Sequence, residues 1–122
     1  MTTEKQIYSI TATPEWRAIL VQTHGNATLA RQILGMLAEE LPAQYAEINI
    51  LLSAQQWAAA ASIVHKIHGS CSFCGLATLQ KLCADIETEL RGNVAPREAT
   101  LLAFRQESTR IIMVLDGLAH RE

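Results

Sequence analysis

Apolar residues recur every third or fourth position along almost the whole of this chain. That period belongs to helices that pack by one face. Leu29, Ile33, Leu34, Met36, Leu37 and Leu41 form one stripe, and Leu76, Leu79, Leu82, Cys83, Ile86 and Leu90 another. A third runs from Leu101 and Leu102 through Phe104, Ile111, Ile112, Val114 and Leu115 to Leu118. No stretch of four or more residues alternates as a strand does. With 6 Gly and 3 Pro, the chain also has few turn-formers for an all-β fold. It is therefore read as all-α. Its 122 residues suit one domain. Aromatics make up only 5%, so the core must be aliphatic.

Local signals divide the chain. Residues 1–12 carry no consistent period and read as an N-terminal arm or leader, leaving 13–120 as the domain. Thr13-Pro14-Glu15 reads as a cap, a first-turn proline and a first-turn acid, opening a short helix to about Thr23. His24-Gly25 breaks it and Asn26 caps a long second helix. Pro42 should kink or break this helix, because it removes one backbone bond and clashes with the preceding turn. The pattern resumes at Tyr45, Ile48, Leu51 and Leu52. Ser53 is a candidate cap for a third helix over about 54–73, which Gly75 ends. A fourth spans about 76–91, stopped by Gly92-Asn93, and a fifth runs from near Pro96 to about Ala119. Four long amphipathic helices with short joints predict an up-down-up-down four-helix bundle with a short extra N-terminal helix.

Charge and cysteines narrow the setting. Ten Lys and Arg against 12 Asp and Glu leave a net charge of −2, so there is no basic field for nucleic acid. No run of about 18 apolar residues occurs, which predicts no membrane contact by this domain. The opening Met1-Thr-Thr-Glu-Lys-Gln lacks the pattern of a signal peptide. Cys71, Cys74 and Cys83 are odd in number and close together, unlike a secreted disulfide framework, and point to a reducing cytoplasm.

The third helix carries the residue that does not fit a plain core helix. At about 100° per residue, its apolar stripe (Ala60, Ile63, Val64, Ile67, Cys71 and Cys74) centres about 210° from His65. His65 thus points away from the core. Ala61, Ser62, His68, Gly69 and Ser72 share its face, all small or polar. Gly69 follows His65 by one turn and leaves an open patch beside the ring, at a cost of about 1 kcal/mol against Ala in a helix. An imidazole there is a nucleophile that a second macromolecule can reach. Its neutral nitrogen can attack phosphorus without a separate base. By spacing alone, a solvated surface histidine is the commoner explanation of such a residue.

His65, His68, Cys71 and Cys74 also spell H-x2-H-x2-C-x2-C. Successive members rotate by about −60° along a helix, so His65 and Cys74 end on opposite faces and cannot share a tetrahedral metal. No metal is expected, and the cysteines read as small core residues. No partner or acid is arranged for Ser-His or Cys-His catalysis.

The run Val64-His65-Lys66-Ile67-His68-Gly69-Ser70-Cys71-Ser72-Phe73-Cys74-Gly75-Leu76 resembles the motif of histidine phosphotransfer (HPt) domains. That motif is His-x-Leu-Lys-Gly with a second Gly six residues after the first, a spacing that Gly69 and Gly75 keep. The run from Leu79 to Arg91 and the Leu41-Pro42 pair are similar to the same family. The string His-Lys-Ile-His-Gly-Ser-Cys-Ser is especially similar to C-terminal modules of BarA/GacS-type hybrid sensor kinases. The resemblance covers roughly residues 14–118.

The resemblance implies a phosphorelay role. His65 would accept a phosphoryl group from a receiver-domain aspartate and pass it to the aspartate of a response regulator. The chain would have no ATP-dependent kinase activity and no cofactor of its own, with Mg²⁺ expected in the partner receiver's acidic pocket. Glu87 aligns with the position whose side chain hydrogen-bonds the acceptor imidazole. Lys66, Ala61, Ser62, Gly69, Ser72 and Gln80 are candidates for the docking patch. The family's usual Lys is His68 here, only partly charged near neutrality. The expected setting is the cytoplasm, including the cytoplasmic C-terminal part of a membrane-anchored sensor kinase, with the domain a monomer. The competing reading is a non-catalytic helical module that docks receivers without accepting phosphate.

Overall fold

The computed structural model describes residues 13–120, so the arm expected over 1–12 lies outside the described residues. Among the described residues five helices follow in order: α1 (Pro14–Gln22), α2 (Ala27–Ser53), α3 (Trp57–Cys74), α4 (Ala77–Arg91) and α5 (Glu98–Ala119). Among the described residues no helix is long and apolar enough to cross a membrane.

Asn26 caps α2 as expected: its side chain accepts the Leu29 N–H at 3.0 Å, satisfying one otherwise orphaned donor. Of the kink or break expected at Pro42, the break does not occur, and α2 runs through it to Ser53. Pro42 costs one backbone bond, but Leu41 before it and Ile48 and Leu52 after it are buried. Anchoring on both sides outweighs a penalty of about 3 kcal/mol. Ser53 is not the cap of α3. It is the last residue of α2, and the chain turns through Ala54, Gln55 (φ 58°) and Gln56 before Trp57 opens α3.

Gly75 ends α3 in the left-handed region at φ 74°. Leu76 N–H reaches back to Cys71 O at 2.9 Å and Gly75 N–H to Ser72 O at 3.4 Å, the paired bonds of a Schellman cap. The glycine is also required by space, since a Cβ there would lie 3.3 Å from Ala18 Cβ on α1. After α4 the turn is made at Asn93, φ 60°. Glu89 Oε1 then accepts the Arg97 N–H at 2.7 Å, so α5 starts at Glu98, slightly later than the expected Pro96.

Each long helix packs on the next, and α5 closes the ring against α2. With joints this short, consecutive helices run antiparallel, giving the expected up-down-up-down bundle. α1 lies across α2, α3 and α5, burying Trp16 and Ile19. Arg31 of α2 sits 5.6 Å from the Trp16 ring, and Arg110 of α5 reaches Glu15 at 3.3 Å. The core is aliphatic around Phe104, with Ile48, Ile67, Leu79, Ile86 and Leu115 fully buried. Three residues of the expected core stripes are not in it: Leu29, Met36 and Leu102 are 42%, 59% and 58% exposed. A wide stripe has edges, and no neighbouring helix covers those edges.

Candidate functional site

His65 stands mid-way along α3, with Val64 and Ile67 on either side buried in the core. Those neighbours fix the helix's rotation and leave the imidazole outside, 66% exposed. From the adjacent helix α4, Glu87 meets its Nδ1 with both oxygens, Oε1 at 3.2 Å and Oε2 at 3.1 Å. Ile86 and Leu90 beside it are buried, so α4 is rotated to aim Glu87 across the joint. Arg91, one turn further, donates Nε–H to Glu87 Oε2 at 2.8 Å.

Partial burial pushes the Glu87 carboxyl upward. The hydrogen bonds from Arg91 and His65, with their charges, outweigh this and hold it below the ordinary carboxylate range. An ionised carboxylate only accepts, so Nδ1 must carry the proton in the neutral ring. The lone pair is then on Nε2, which has no hydrogen-bond partner among the described residues. This is the tautomer needed for attack on an electrophile brought from outside.

The other expected residues fall around this pair. His68 is half-buried one turn on, its ring 6.4 Å from that of His65 and inclined by 23°. A Cβ at Gly69 would meet nothing within 4 Å, so the open patch is real space. Lys66, Ser62 and Ser72 are exposed and Gln80 is half-buried. Ser62 donates its hydroxyl back to Ala58 O at 3.3 Å. Ala61 does not belong to the accessible patch: it is fully buried, its methyl covered within the bundle, so it offers no docking contact.

Two features escaped the sequence reading. Arg91, the last residue of α4, joins the site through Glu87, and their i, i+4 spacing was the available signal. The second is a groove of about 440 Å³ between α2 and α3, lined among others by Met36, Glu40, Lys66, Gly69 and Phe73. Cys71, Cys74 and Cys83 are free and buried. Burial, and then the neighbouring Cys71, push the Cys74 thiol up to about 11, and Cys71 together with burial pushes Cys83 upward too. Among the described residues no group of His, Cys, Asp and Glu is arranged to hold a metal ion.

The structure is an all-helical bundle that carries the accessible His65 imidazole on its wall, with Glu87 fixing its tautomer. The Hpt domain family model matches residues 32–119, and the chain belongs to that family. It is 35% identical over 80 residues to the signal transduction histidine-protein kinase BarA of Escherichia coli (strain K12), covering 66% of this chain and 9% of that protein. It is 32% identical over 77 residues to the sensor protein GacS of Pseudomonas syringae pv. syringae, covering 63% of this chain and 8% of that protein. The chain thus spans less than a tenth of the length of these curated relatives. Among solved structures it is similar to the HPT domain of an Hpt sensor hybrid histidine kinase from Shewanella. There the TM-score is 0.75 at 30% identity, covering 84% of this chain and 90% of that one.

Proposed function

We propose that this chain is a phosphocarrier that relays a phosphoryl group between receiver-domain aspartates through His65 Nε2. The observation that carries the reading is the His65–Glu87 contact on an exposed wall. Nε2 attacks the phosphorus of an aspartyl phosphate, the N–P bond forms, and the P–O bond to the aspartate breaks to release its carboxylate. The ring keeps its Nδ1 proton and becomes cationic as the bond forms. Glu87, already ionised and in place, stabilises that charge without reorganising. Arg91 holds the same carboxylate from behind. Delivery to a second receiver is the reverse of this step.

The chain's own groups supply the nucleophile and its orientation. Shielding of the phosphoryl oxygens is left to the Mg²⁺ expected in the receiver. Lys66, Ser62 and Ser72 border the approach, and Gly69 leaves it open. The buried free thiols suit a reducing, cytoplasmic setting.

The test mixes the protein with receiver domains pre-phosphorylated on aspartate in the presence of Mg²⁺. Acid-labile, base-stable label on the wild type that is lost in His65→Gln is the expected result. Receiver binding without label on the wild type would overturn the carrier reading and leave a docking module.

A further inference from the structure

A carrier has to hold its phosphoryl group unaided between one receiver and the next. The receiver's Mg²⁺ leaves with the receiver, and the phosphoryl oxygens keep about two negative charges at neutral pH. Glu87 meets only the imidazole, from its Nδ1 side, and as an anion it does nothing for those oxygens. His68, one turn on, is an imidazole and carries no fixed charge. Helices α3 and α4 carry three side chains that do: Lys66, Lys81 and Arg91. Arg91 donates Nε–H to Glu87 Oε2 at 2.8 Å, so its charge is set against that carboxylate. Lys81 stands nearly two turns from Glu87, about 9 Å along the helix axis.

Lys66 differs from both. It directly follows His65, is exposed, and lines the side of α3 that faces α2. Among the described residues it forms no ion pair, although Glu40 lines the same groove. His65 turns Nδ1 to Glu87 on α4, so Nε2 and any group bonded to it occupy the edge of the ring away from that carboxylate. Neighbours on a helix diverge by about 100°, which keeps the ammonium off the imidazole itself. The flexible four-carbon stem of lysine can still swing it to a group that projects beyond Nε2. We propose that Lys66 donates through Nζ to the phosphoryl oxygens of phospho-His65 and so sets how long the chain holds its cargo once the receiver has gone. This rests on the carrier reading and adds a group of this chain that touches the phosphoryl itself. In hydrolysis water attacks phosphorus, the N–P bond breaks, Nε2 recovers its lone pair and dihydrogen phosphate leaves, while the ring keeps its Nδ1 proton. In a loose transition state the charge on the oxygens drives the imidazole out, and an ammonium bound to them weakens that push.

The experiment labels the protein from a phospho-receiver or from phosphoramidate, removes the donor, and follows the decay of phospho-His65 without Mg²⁺. Wild type, Lys66→Gln and Lys66→Arg are compared at about 20 mM and about 1 M salt. Lys66 is exposed, so neither substitution disturbs the core. Lys66→Gln is expected to shorten the lifetime about threefold at low salt, the scale of an exposed ion pair. Lys66→Arg should preserve the lifetime, and high salt should close the gap between wild type and Lys66→Gln. No receiver is present during the decay, so none of these differences depends on docking. Equal lifetimes for wild type and Lys66→Gln at low salt overturn the assignment. So does a loss in Lys66→Arg as large as in Lys66→Gln, or a gap that survives high salt. A wild type that takes label from neither donor overturns the carrier reading and this proposal together.

Discussion

Glu87 Oε2 lies 3.1 Å from His65 Nδ1, which ties the imidazole of one helix to a carboxylate of the next. The same oxygen takes Arg91 Nε–H at 2.8 Å, so the imidazole is held by a carboxylate that is itself held. Glu87→Ala should release the ring to both neutral tautomers and slow phosphorylation of His65 by about tenfold, the scale of one charge-assisted hydrogen bond. Glu87→Gln keeps an acceptor and should lose less. Nitrogen NMR of the imidazole checks the tautomer directly, with Nδ1–H dominant in the wild type and mixed in Glu87→Ala.

Acid should loosen this region before it unfolds a chain lacking these contacts. Glu87 is held low as described, and the Arg97 backbone N–H, the largest contribution, holds Glu89 low against its own burial. Carboxyls lowered in the fold contribute stability above their unfolded value near about 4.3, and lose it as pH falls through the lower folded values. Thermal melts between about pH 3 and pH 6 should therefore show a steeper acid limb for the wild type than for Glu87→Gln/Glu89→Gln. Parallel limbs would refute the assignment.

His68 stands one turn from His65, where the motif that the chain resembles has a lysine. A lysine ammonium carries a fixed positive charge, so His68→Lys should lengthen the lifetime of phospho-His65. An unchanged lifetime would leave position 68 without an electrostatic role.

The two motif glycines should respond oppositely to alanine. Gly75 has φ 74° and a Cβ there would press on Ala18, so Gly75→Ala is expected to destabilise by about 1–3 kcal/mol. Gly69 is helical with nothing within 4 Å, so Gly69→Ala should stabilise by up to about 1 kcal/mol. A longer side chain at position 69 should leave melting unharmed while obstructing transfer from a receiver. Denaturant unfolding with transfer assays separates the two roles.

Ser108 is a polar group in the wrong surroundings. Its Oγ is buried with no hydrogen-bond partner among the described residues, on the face of α5 that also buries Phe104 and Ile111. Ser108→Ala removes the stranded hydroxyl and should raise stability by about 1 kcal/mol, read from the unfolding midpoint.

Much of this was legible in the sequence because helical period and cap chemistry are local. The five helices, the Asn26 cap, the Gly75 stop and the outward turn of His65 all follow from residues within a few positions of each other. The misses share a cause, which is that a period names a face and not what covers it. Ala61 lies near His65 on the helical wheel, yet a methyl is small enough to be covered within the bundle. Met36 lies on the apolar stripe of α2, yet at an edge no helix reaches. Pro42 and Ser53 carry strong local signals for a break and a start, and burial of Leu41, Ile48 and Leu52 overrode both. Arg91 became part of the site only once Glu87 had a partner on another helix.

The side chains of α3 divide cleanly between two tasks. Val64, Ile67 and Cys71 hold the bundle together, while His65, Lys66, Gly69 and Ser72 face outward and bury nothing in it. Substitution at Lys66 and Ser72, around a retained His65, should therefore change what the exposed face meets with little penalty in folding. The inward set can meanwhile stay still. A family of relays built on such a helix can multiply its wiring without reinventing its scaffold.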